Sequence, residues 1–268
     1  MHLLGLFGLL LILLGEGLSV FHILPWSHYV FPLFWYGYIL VLDHLNYRLS
    51  GSSLFLDHRR EFLLMFPVSA IYWYFFEWYN LVIENWIYIN TPEEAWIGTI
   101  TKIISFATVI PALYETMEFV EGILPKDKGL KVRSLIPQNW HGPSLFLGLI
   151  LSILPLVLPR YFFWSVWVGP FLLIDAINDR LGRPSILRDW QKGEYRRTSI
   201  ILIAGTICGF FWEFWNYWAY TKWVYTVPIW EMPHIFEMPA LGFLGFGSFA
   251  LETFAFWTLI WGRKDDTN

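Results

Sequence analysis

Long runs of apolar residues, separated by short clusters of charged and turn-forming residues, dominate this sequence. Four runs are long enough to cross a bilayer, which takes about 20 helical residues; they span residues 62–84, 97–122, 198–221 and 237–261. Four weaker runs span residues 3–24, 28–43, 143–158 and 161–177. The pattern predicts an all-α fold, a polytopic membrane helix bundle of about eight transmembrane helices.

Composition favours lipid as the main solvent of the folded chain. Hydrophobic residues make up 56% and charged residues 15% of the sequence, and the mean hydropathy is +0.46. Soluble domains carry roughly 25% charged residues, so the charges here are too few to cover a surface that faces water. Cys208 is the only cysteine, which excludes an internal disulfide and a cysteine-rich metal site. The histidines are scattered, so we expect no metal and no cofactor; a haem between His234 and either His22 or His28 is a minor alternative.

The lysines and arginines are distributed unevenly between the loops. If the chain begins in the cytoplasm and crosses eight times, all but three of its 18 basic residues lie on the cytoplasmic side; the exceptions are Lys102, Arg160 and Lys222. Such a bias follows the positive-inside rule. We therefore expect a multi-pass protein of the plasma (inner) membrane with both termini in the cytoplasm. The basic residues lie in short loops between apolar helices, so nucleic acid is not an expected partner.

The two halves of the sequence resemble each other. A shift of 132 residues aligns Tyr29–Asp57 with Tyr161–Asp189, with eleven identities in 29 positions. The match resumes after a four-residue insertion, aligning Glu77 with Glu213. After a shift of one further residue it continues at an offset of 137, from Trp86 and Trp223 to Phe119 and Phe256. The sequence therefore predicts two tandem, parallel four-helix repeats at residues 1–130 and 138–268. They are expected to form one integral membrane domain with a pseudo-two-fold axis along the membrane normal.

A polar pattern recurs at the cytoplasmic side of both halves. Asp-x-x-Asn-x-Arg-Leu-x-x-x-Ser-x-x-x-Asp occurs at Asp43–Asp57 and again at Asp175–Asp189. These residue types are typical of helix caps and of contacts with lipid phosphates. Asp175 and Asp179 also imitate a metal–diphosphate motif, but the first half has Tyr47 in place of Asp179. Helix capping is therefore the preferred interpretation.

Acidic residues inside the apolar runs are a second recurring feature. Glu77 and Asn80 are one turn apart, and Glu213 and Asn216 repeat the spacing, so each pair lies on one helix face. A carboxyl at that depth is unfavourable unless it faces a polar partner or water. Four glutamates are at aligned positions, and we take them as candidate catalytic residues: Glu213, Glu77, Glu252 and Glu115. The alternative is that they only hold neighbouring helices together.

Aromatic residues surround these glutamates and continue into the loops after them. Aromatic faces stabilise cations, and a glutamic acid in an apolar pocket is suited to proton transfer. The loop after the second glutamate adds Glu231, His234 and Glu237, with prolines that favour a stiff, non-helical lid. The candidate binding residues are the two amides, four loop aromatics and one histidine: Asn216, Asn80, Trp223, Tyr225, Trp86, Tyr88 and His234.

Three strings carry a resemblance to known proteins. Asp175–Asp189, Phe211–Asn216 and Trp223–Tyr225 resemble an uncharacterised family of bacterial integral membrane proteins with a duplicated four-helix unit. The resemblance implies a membrane protein and brings no settled activity. A looser likeness, of design alone, links the chain to membrane-embedded carotenoid hydratases, lycopene cyclases and terpene cyclases. These enzymes also set acidic residues among aromatic ones in short helices.

Three functional hypotheses follow from these features. The leading one is an enzyme that acts on a lipophilic substrate, an isoprenoid or lipid, by glutamate acid/base chemistry in an aromatic-lined pocket within the bilayer. The second is a transporter or channel with a polar pathway along the pseudo-two-fold axis. The third is a scaffold subunit of a membrane complex.

Overall fold

The computed structural model describes residues 2–125, 133–134, 136–228 and 232–262. Most of these residues are helical. The α-helices are α1 (His2–Phe21), α2 (Val30–Ser50), α3 (Leu54–Asp57), α4 (Arg59–Ile83), α5 (Ala95–Phe106), α6 (Val109–Ile123), α7 (His141–Val157), α8 (Pro159–Phe162), α9 (Gly169–Arg180), α10 (Ile186–Lys192), α11 (Arg196–Trp218) and α12 (Phe243–Trp261). The strands are β1 (Trp86–Ile89), β2 (Lys222–Tyr225), β3 (His234–Ile235) and β4 (Met238–Pro239).

Each of the eight predicted spans coincides with a helix or with two consecutive helices. In the part of the chain that the structure describes, five segments are long and apolar enough to cross a membrane: His2–Phe21, Ala95–Ile123, Pro159–Arg180, Arg196–Trp218 and Ala240–Trp261. Of the other three, α7 is only 17 residues long, and α2 and α4 contain charged residues that lower their hydropathy. The chain is therefore a multi-pass helical membrane protein, and the count of eight crossings stays a prediction.

Helix α1 has the surface expected of a lipid-facing helix. Its buried residues are small, namely Gly5, Gly8, Gly15 and Ser19. Its leucines point outward; Leu3 is 82% exposed and Leu10 is 60% exposed. In water such a face would be an aggregation hazard, whereas in a bilayer small residues pack helices together and large ones meet lipid. This distribution indicates contact with the lipid bilayer.

The chain divides into two compact units. Unit 1 consists of Met1–Ile123 with Ile207–Ala240, and unit 2 of Leu124–Thr206 with Leu241–Asn268. In unit 1, α1 packs along α2, and α6 packs against α2 and α4. In unit 2, α7 and α12 pack against α9. Unit 1 thus combines the helices of the first predicted repeat with a segment of the second.

Glycines allow the closest helix crossing within each unit. A Cβ atom added to Gly8 of α1 would lie 2.6 Å from the carbonyl oxygen of Gly37 in α2. In unit 2, a Cβ added to Gly169 would lie 2.5 Å from the backbone nitrogen of Ser152. Such distances leave no room for a side chain, so these pairs of backbones pack in direct contact, as in other membrane helix pairs with small residues at their interface.

The recurring polar pattern, Asp43–Asp57 and Asp175–Asp189, forms helix caps. Asp43 Oδ1 accepts a hydrogen bond from the Phe55 backbone at 3.0 Å, at the start of α3. Asp175 accepts bonds from the backbone N–H groups of Ile186 at 3.0 Å and Leu187 at 2.8 Å, at the start of α10. These donors are among the N–H groups that a helix leaves without an internal partner. The capping interpretation is therefore confirmed.

Asp179, the second acid of the imitated metal motif, is held by two side chains within unit 2. Its carboxylate pairs with the Arg188 guanidinium through Nε, and with the imidazole of His141. The first acid of that motif, Asp175, is fully used in capping. Both carboxylates therefore act in the protein's own structure, which explains their presence without a metal–diphosphate function.

Candidate functional site

Strands β1 and β2 pair into an antiparallel ribbon in unit 1. Trp86 lies opposite Tyr225, and Tyr88 lies opposite Trp223. Side chains alternate between the two faces of a strand, so these four aromatic residues share one face of the ribbon. Trp86 is 6% exposed, whereas Ile87 on the other face is 50% exposed. The aromatic face therefore points into the protein.

Two asparagines fix the ribbon to the ends of α4 and α11. Asn80 Nδ2 donates to the Trp86 carbonyl at 2.8 Å, and its Oδ1 accepts from the backbone of Asn85 at 2.8 Å. Asn216 Nδ2 donates to the Trp223 carbonyl at 2.8 Å, and its Oδ1 accepts from the Trp223 backbone at 2.9 Å. Both amides bond to backbone groups of the chain itself, so they position the strands that carry the aromatic residues.

Three donors converge on Glu77, one turn before Asn80. Its Oε1 atom accepts hydrogen bonds from Tyr88 Oη at 2.7 Å, Trp73 Nε1 at 3.1 Å and Trp86 Nε1 at 3.1 Å. Trp73 lies four residues before Glu77 on the same face of α4. Three donors on one oxygen give this half-buried carboxylate a fixed orientation.

Glu213 has a different set of contacts, although it precedes β2 as Glu77 precedes β1. Tyr225 Oη donates to Glu213 Oε1 at 2.6 Å, and Trp223 Nε1 donates to Tyr225 Oη at 2.9 Å. The residue is 0% exposed. Its other oxygen, Oε2, has no hydrogen-bond partner among the described residues. Glu213 therefore keeps a buried oxygen that is open to a further interaction.

The two ribbon tyrosines remain hydrogen-bond donors at neutral pH. Burial, and next the nearby Glu77 carboxylate, raise the pKa of Tyr88 well above its usual value of 10.0. Burial and the Glu213 carboxylate do the same to the pKa of Tyr225. Loss of either phenol proton would place a second negative charge beside a carboxylate. Each tyrosine thus holds its O–H toward its glutamate.

A cation accompanies the first of these sites. Lys102 of α5 places its Nζ 4.2 Å from the centroid of the Tyr88 ring, a distance typical of a cation–π interaction. In the described part of the chain, no lysine or arginine makes such a contact with Tyr225. The two sites therefore differ in charge as well as in donors.

Aromatic rings pack around the two sites. Trp212 is central to this cluster; its ring centroid lies 5.0 Å from that of Trp73, 5.6 Å from that of Trp35 and 5.7 Å from that of Trp223. Neighbouring helices contribute further rings at edge-to-face and tilted angles, which are favourable for aromatic pairs. Among the described residues, indole N–H and phenol O–H groups are the hydrogen-bond donors to Glu77 and Glu213. The Glu237 carboxylate, which is paired with Lys222, is a charged neighbour of Glu213.

The other two candidate glutamates lie elsewhere. Glu115 on α6, in unit 1, is 0% exposed, and its Oε2 accepts from Asn46 Nδ2 at 2.7 Å. Glu252 on α12, in unit 2, is 1% exposed. Neither of its carboxyl oxygens has a hydrogen-bond partner within the described ranges. Glu77 and Glu213 are thus brought together through the ribbon, whereas Glu115 makes separate contacts and Glu252 belongs to the other unit.

The described part of the predicted lid, residues 232–239, is non-helical. His234 lies on β3, which pairs with β4 through His234 and Pro239. The Lys222 ammonium pairs with Glu237 Oε1 at 2.5 Å. Glu231 lies outside the described residues. His234 is exposed on its strand, and its predicted binding role stays a prediction.

Three contacts of this region were missed by reasoning from the sequence. Trp73 and Lys102 were not recognised as partners of the Glu77 site, although the four-residue spacing of Trp73 and Glu77 was a usable signal. Glu16, inside the first apolar run, accepts a hydrogen bond from Trp215 Nε1 at 3.0 Å. A carboxyl in a membrane span is by itself a sign of a polar partner.

Comparisons of this chain with protein-family models, with curated proteins and with solved structures find no match.

Proposed function

We propose that this chain is an integral membrane enzyme that acts on a lipophilic substrate, an isoprenoid or lipid, with Glu213 as its acid/base residue. The observation that carries the proposal is the buried Glu213 carboxyl, with Oε1 held by Tyr225 and Oε2 unpartnered among the described residues. An apolar surrounding disfavours an isolated carboxylate and so promotes proton exchange with a bound group. Retaining such a residue for stability alone would be unfavourable.

The contacts of Glu213 suggest how the step would run. A proton on the substrate passes to Oε2, which leaves the substrate with a lone pair and Glu213 as a neutral acid. The Tyr225 hydroxyl, itself oriented by Trp223, stabilises the carboxylate before the transfer. The faces of Trp212 and neighbouring rings favour a cationic group on the substrate while it holds the proton. Asn216 acts as a positioning residue through the Trp223 backbone.

The proposal includes a duplicated architecture, with eight crossings in two parallel repeats and both termini in the cytoplasm. Its support is the similar local geometry at aligned residues. Asn80 and Asn216 each bind the first aromatic residue of the strand that follows. Each glutamate receives a tyrosine hydroxyl from that strand. Aligned positions with the same contacts are expected of an internal repeat.

The repeats are proposed to be functionally unequal. Glu77 already accepts three hydrogen bonds on one oxygen, whereas Glu213 keeps Oε2 open. Glu213→Gln should therefore reduce activity more than Glu77→Gln does. Gln preserves the shape of the side chain but cannot donate or accept a proton as a carboxyl group does. The readout is the lipid extract of cells that lack the protein, complemented with wild type or with either variant.

Two outcomes would count against the proposal. If both variants accumulate, fold with wild-type thermal stability and restore the wild-type lipid profile, acid/base catalysis by these residues is wrong. If neither variant accumulates, the glutamates serve the stability of the helix bundle instead.

A proton-coupled transporter is the second candidate. The observation that favours it is Glu252, a buried acid whose two oxygens lack partners within the described residues. Ionisable residues of this kind in membrane helices are common in proton relays. Proteoliposomes with a pH-sensitive dye inside would detect proton flux, and Glu252→Gln should abolish it. Wild-type protein that moves no protons under an imposed gradient would exclude this candidate.

A further inference from the structure

We propose that Glu213 binds the ammonium head of a lipophilic amine, which donates an N–H hydrogen bond to Oε2. The inference names the substrate class of the proposed enzyme and so rests on the proposed function. It follows from a comparison of the Glu213 site with the Glu77 site. At the Glu77 site, side chains of the protein supply three hydrogen-bond donors and a cation.

The first difference between the sites is a hydrogen-bond donor. Trp73 lies four residues before Glu77 and donates its indole N–H to the carboxylate. The residue four positions before Glu213 is Gly209, which has no side chain. Position 209 therefore cannot do for Glu213 what Trp73 does for Glu77. Glu77 Oε1 accepts three hydrogen bonds, whereas Glu213 Oε1 accepts one, from Tyr225. The Oε2 atom of this fully buried carboxyl has no hydrogen-bond partner among the described residues.

The second difference is a positive charge. Lys102 lies over the Tyr88 ring at the Glu77 site. The residue that follows Lys102 by 137 positions, the offset that aligns Phe106 with Phe243, is Pro239. It cannot carry a charge. Among the described residues, no cation lies over the Tyr225 ring as Lys102 lies over that of Tyr88. The ammonium of Lys222, on the same strand as Tyr225, is paired with Glu237.

One chemical group supplies both missing features. A primary ammonium carries a positive charge and three N–H donors, so it can bond to Oε2 and face aromatic rings at the same time. An alcohol would supply the hydrogen bond without the charge, and a quaternary ammonium would supply the charge without the donor. The rings of Trp212 and Trp223, whose centroids lie 5.7 Å apart, belong to the aromatic cluster around this site, and aromatic faces favour cations. The aromatic rings packed around Glu213 and the exposed apolar surface of the helices favour a hydrocarbon for the rest of the ligand.

Binding can be tested with purified full-length protein in nanodiscs of phosphatidylglycerol, a lipid without an amine. Radiolabelled dodecylamine is titrated, and empty nanodiscs correct for partition into lipid. We expect one saturable site per chain. Unlabelled dodecylamine should displace the label, dodecyltrimethylammonium should do so at least tenfold less well, and dodecanol should not. Equal displacement by dodecanol would overturn the inference.

Substitutions locate the site. Glu213→Gln should weaken dodecylamine binding more than tenfold. Glu16→Gln is the matched control, since it removes another carboxylate with an indole donor from the same unit and should leave binding within twofold. Gly209→Trp supplies the indole from the chain and should also abolish binding, which provides a second test if Glu213→Gln accumulates poorly. Unchanged affinity in a folded Glu213→Gln or Gly209→Trp protein would refute the assignment.

The same assay identifies the source of the amine. Displacement of the label by phosphatidylethanolamine added to the nanodiscs would point to an aminophospholipid, and its failure to compete would point to a single-chain amine. The outcome is separable from that of the proposed function. Amine binding that depends on Glu213, with a lipid profile unaffected by Glu213→Gln, would uphold the site and reject the catalysis. A changed lipid profile without amine binding would do the reverse.

Discussion

The α1–α2 crossing offers the sharpest test of how the helices pack. Gly8→Ala adds a Cβ atom that would lie 2.6 Å from the Gly37 carbonyl oxygen and 2.9 Å from Leu40 Cβ. Ordinary carbon–oxygen contacts are about 3.3 Å or longer, so the overlap is roughly 0.7 Å. The nearest obstacle is backbone and cannot rotate away, so the two helices must separate along this interface.

Gly17→Ala, in the same helix, is the matched control. A Cβ atom at Gly17 has nothing within 4 Å. Both substitutions gain the same helix propensity, about 1 kcal/mol for Gly to Ala. Only Gly8→Ala carries the overpacking term, typically about 1–3 kcal/mol. The difference between the two variants therefore isolates the packing and should be about 1–3 kcal/mol.

The free energy of unfolding can be measured by titrating the protein in mild detergent micelles with dodecyl sulfate and following helical circular dichroism. We expect Gly17→Ala to be as stable as wild type or more stable, and Gly8→Ala to be less stable than Gly17→Ala. Equal stability of the two variants would refute the direct backbone contact at Gly8. Lower stability of Gly17→Ala would show that α1 is not held as described.

Three further predictions concern topology, the ribbon and a tyrosine. Reporter fusions after Arg188 should give a cytoplasmic signal, and fusions after Thr91 should give a signal from the opposite side of the membrane. A cytoplasmic signal at Thr91 would contradict the eight-helix topology. Asn216→Ala removes two hydrogen bonds from the Trp223 backbone and should lower the free energy of unfolding by about 2–4 kcal/mol. The control, Thr206→Ala, removes an exposed hydrogen bond of the same helix and should change the free energy of unfolding by less than about 0.5 kcal/mol. Equal effects of the two substitutions would contradict the positioning role of Asn216. Because its raised pKa keeps Tyr225 neutral at pH 10, Tyr225→Phe should leave the phenolate absorbance at that pH unchanged. A loss of absorbance equal to about half of one phenolate per chain would contradict the raised pKa of Tyr225.

The membrane character of the chain could be predicted from the sequence because hydropathy is a local, additive property. A run such as residues 198–221 has the same transfer energy wherever it packs, and it coincides with α11, Arg196–Trp218. Helix caps were also predictable from the sequence, because a cap joins groups that are close along the chain. Ser53 and Ser185 cap helices that begin one residue later, through backbone groups close in sequence.

The candidate glutamates could also be identified from the sequence, because a carboxyl in an apolar run is unfavourable unless it faces a polar partner or water. Only some of their hydrogen-bond partners could be predicted from the sequence. Glu77 and Trp73 are one turn apart, so their bond is local. The pairing of Trp86 with Tyr225 joins residues far apart along the chain, and no local pattern encodes such a register.

The sequence by itself determined that this chain forms apolar helices for a bilayer, with acidic groups set among aromatic ones. Only the tertiary structure decided that β1 and β2 form a ribbon, that Glu77 Oε1 accepts three hydrogen bonds and that Glu213 keeps Oε2 unpartnered among the described residues. The physical reason is that burial in lipid depends on the residues of one segment. The state of a buried carboxyl depends instead on which donors and charges other segments bring within hydrogen-bonding distance.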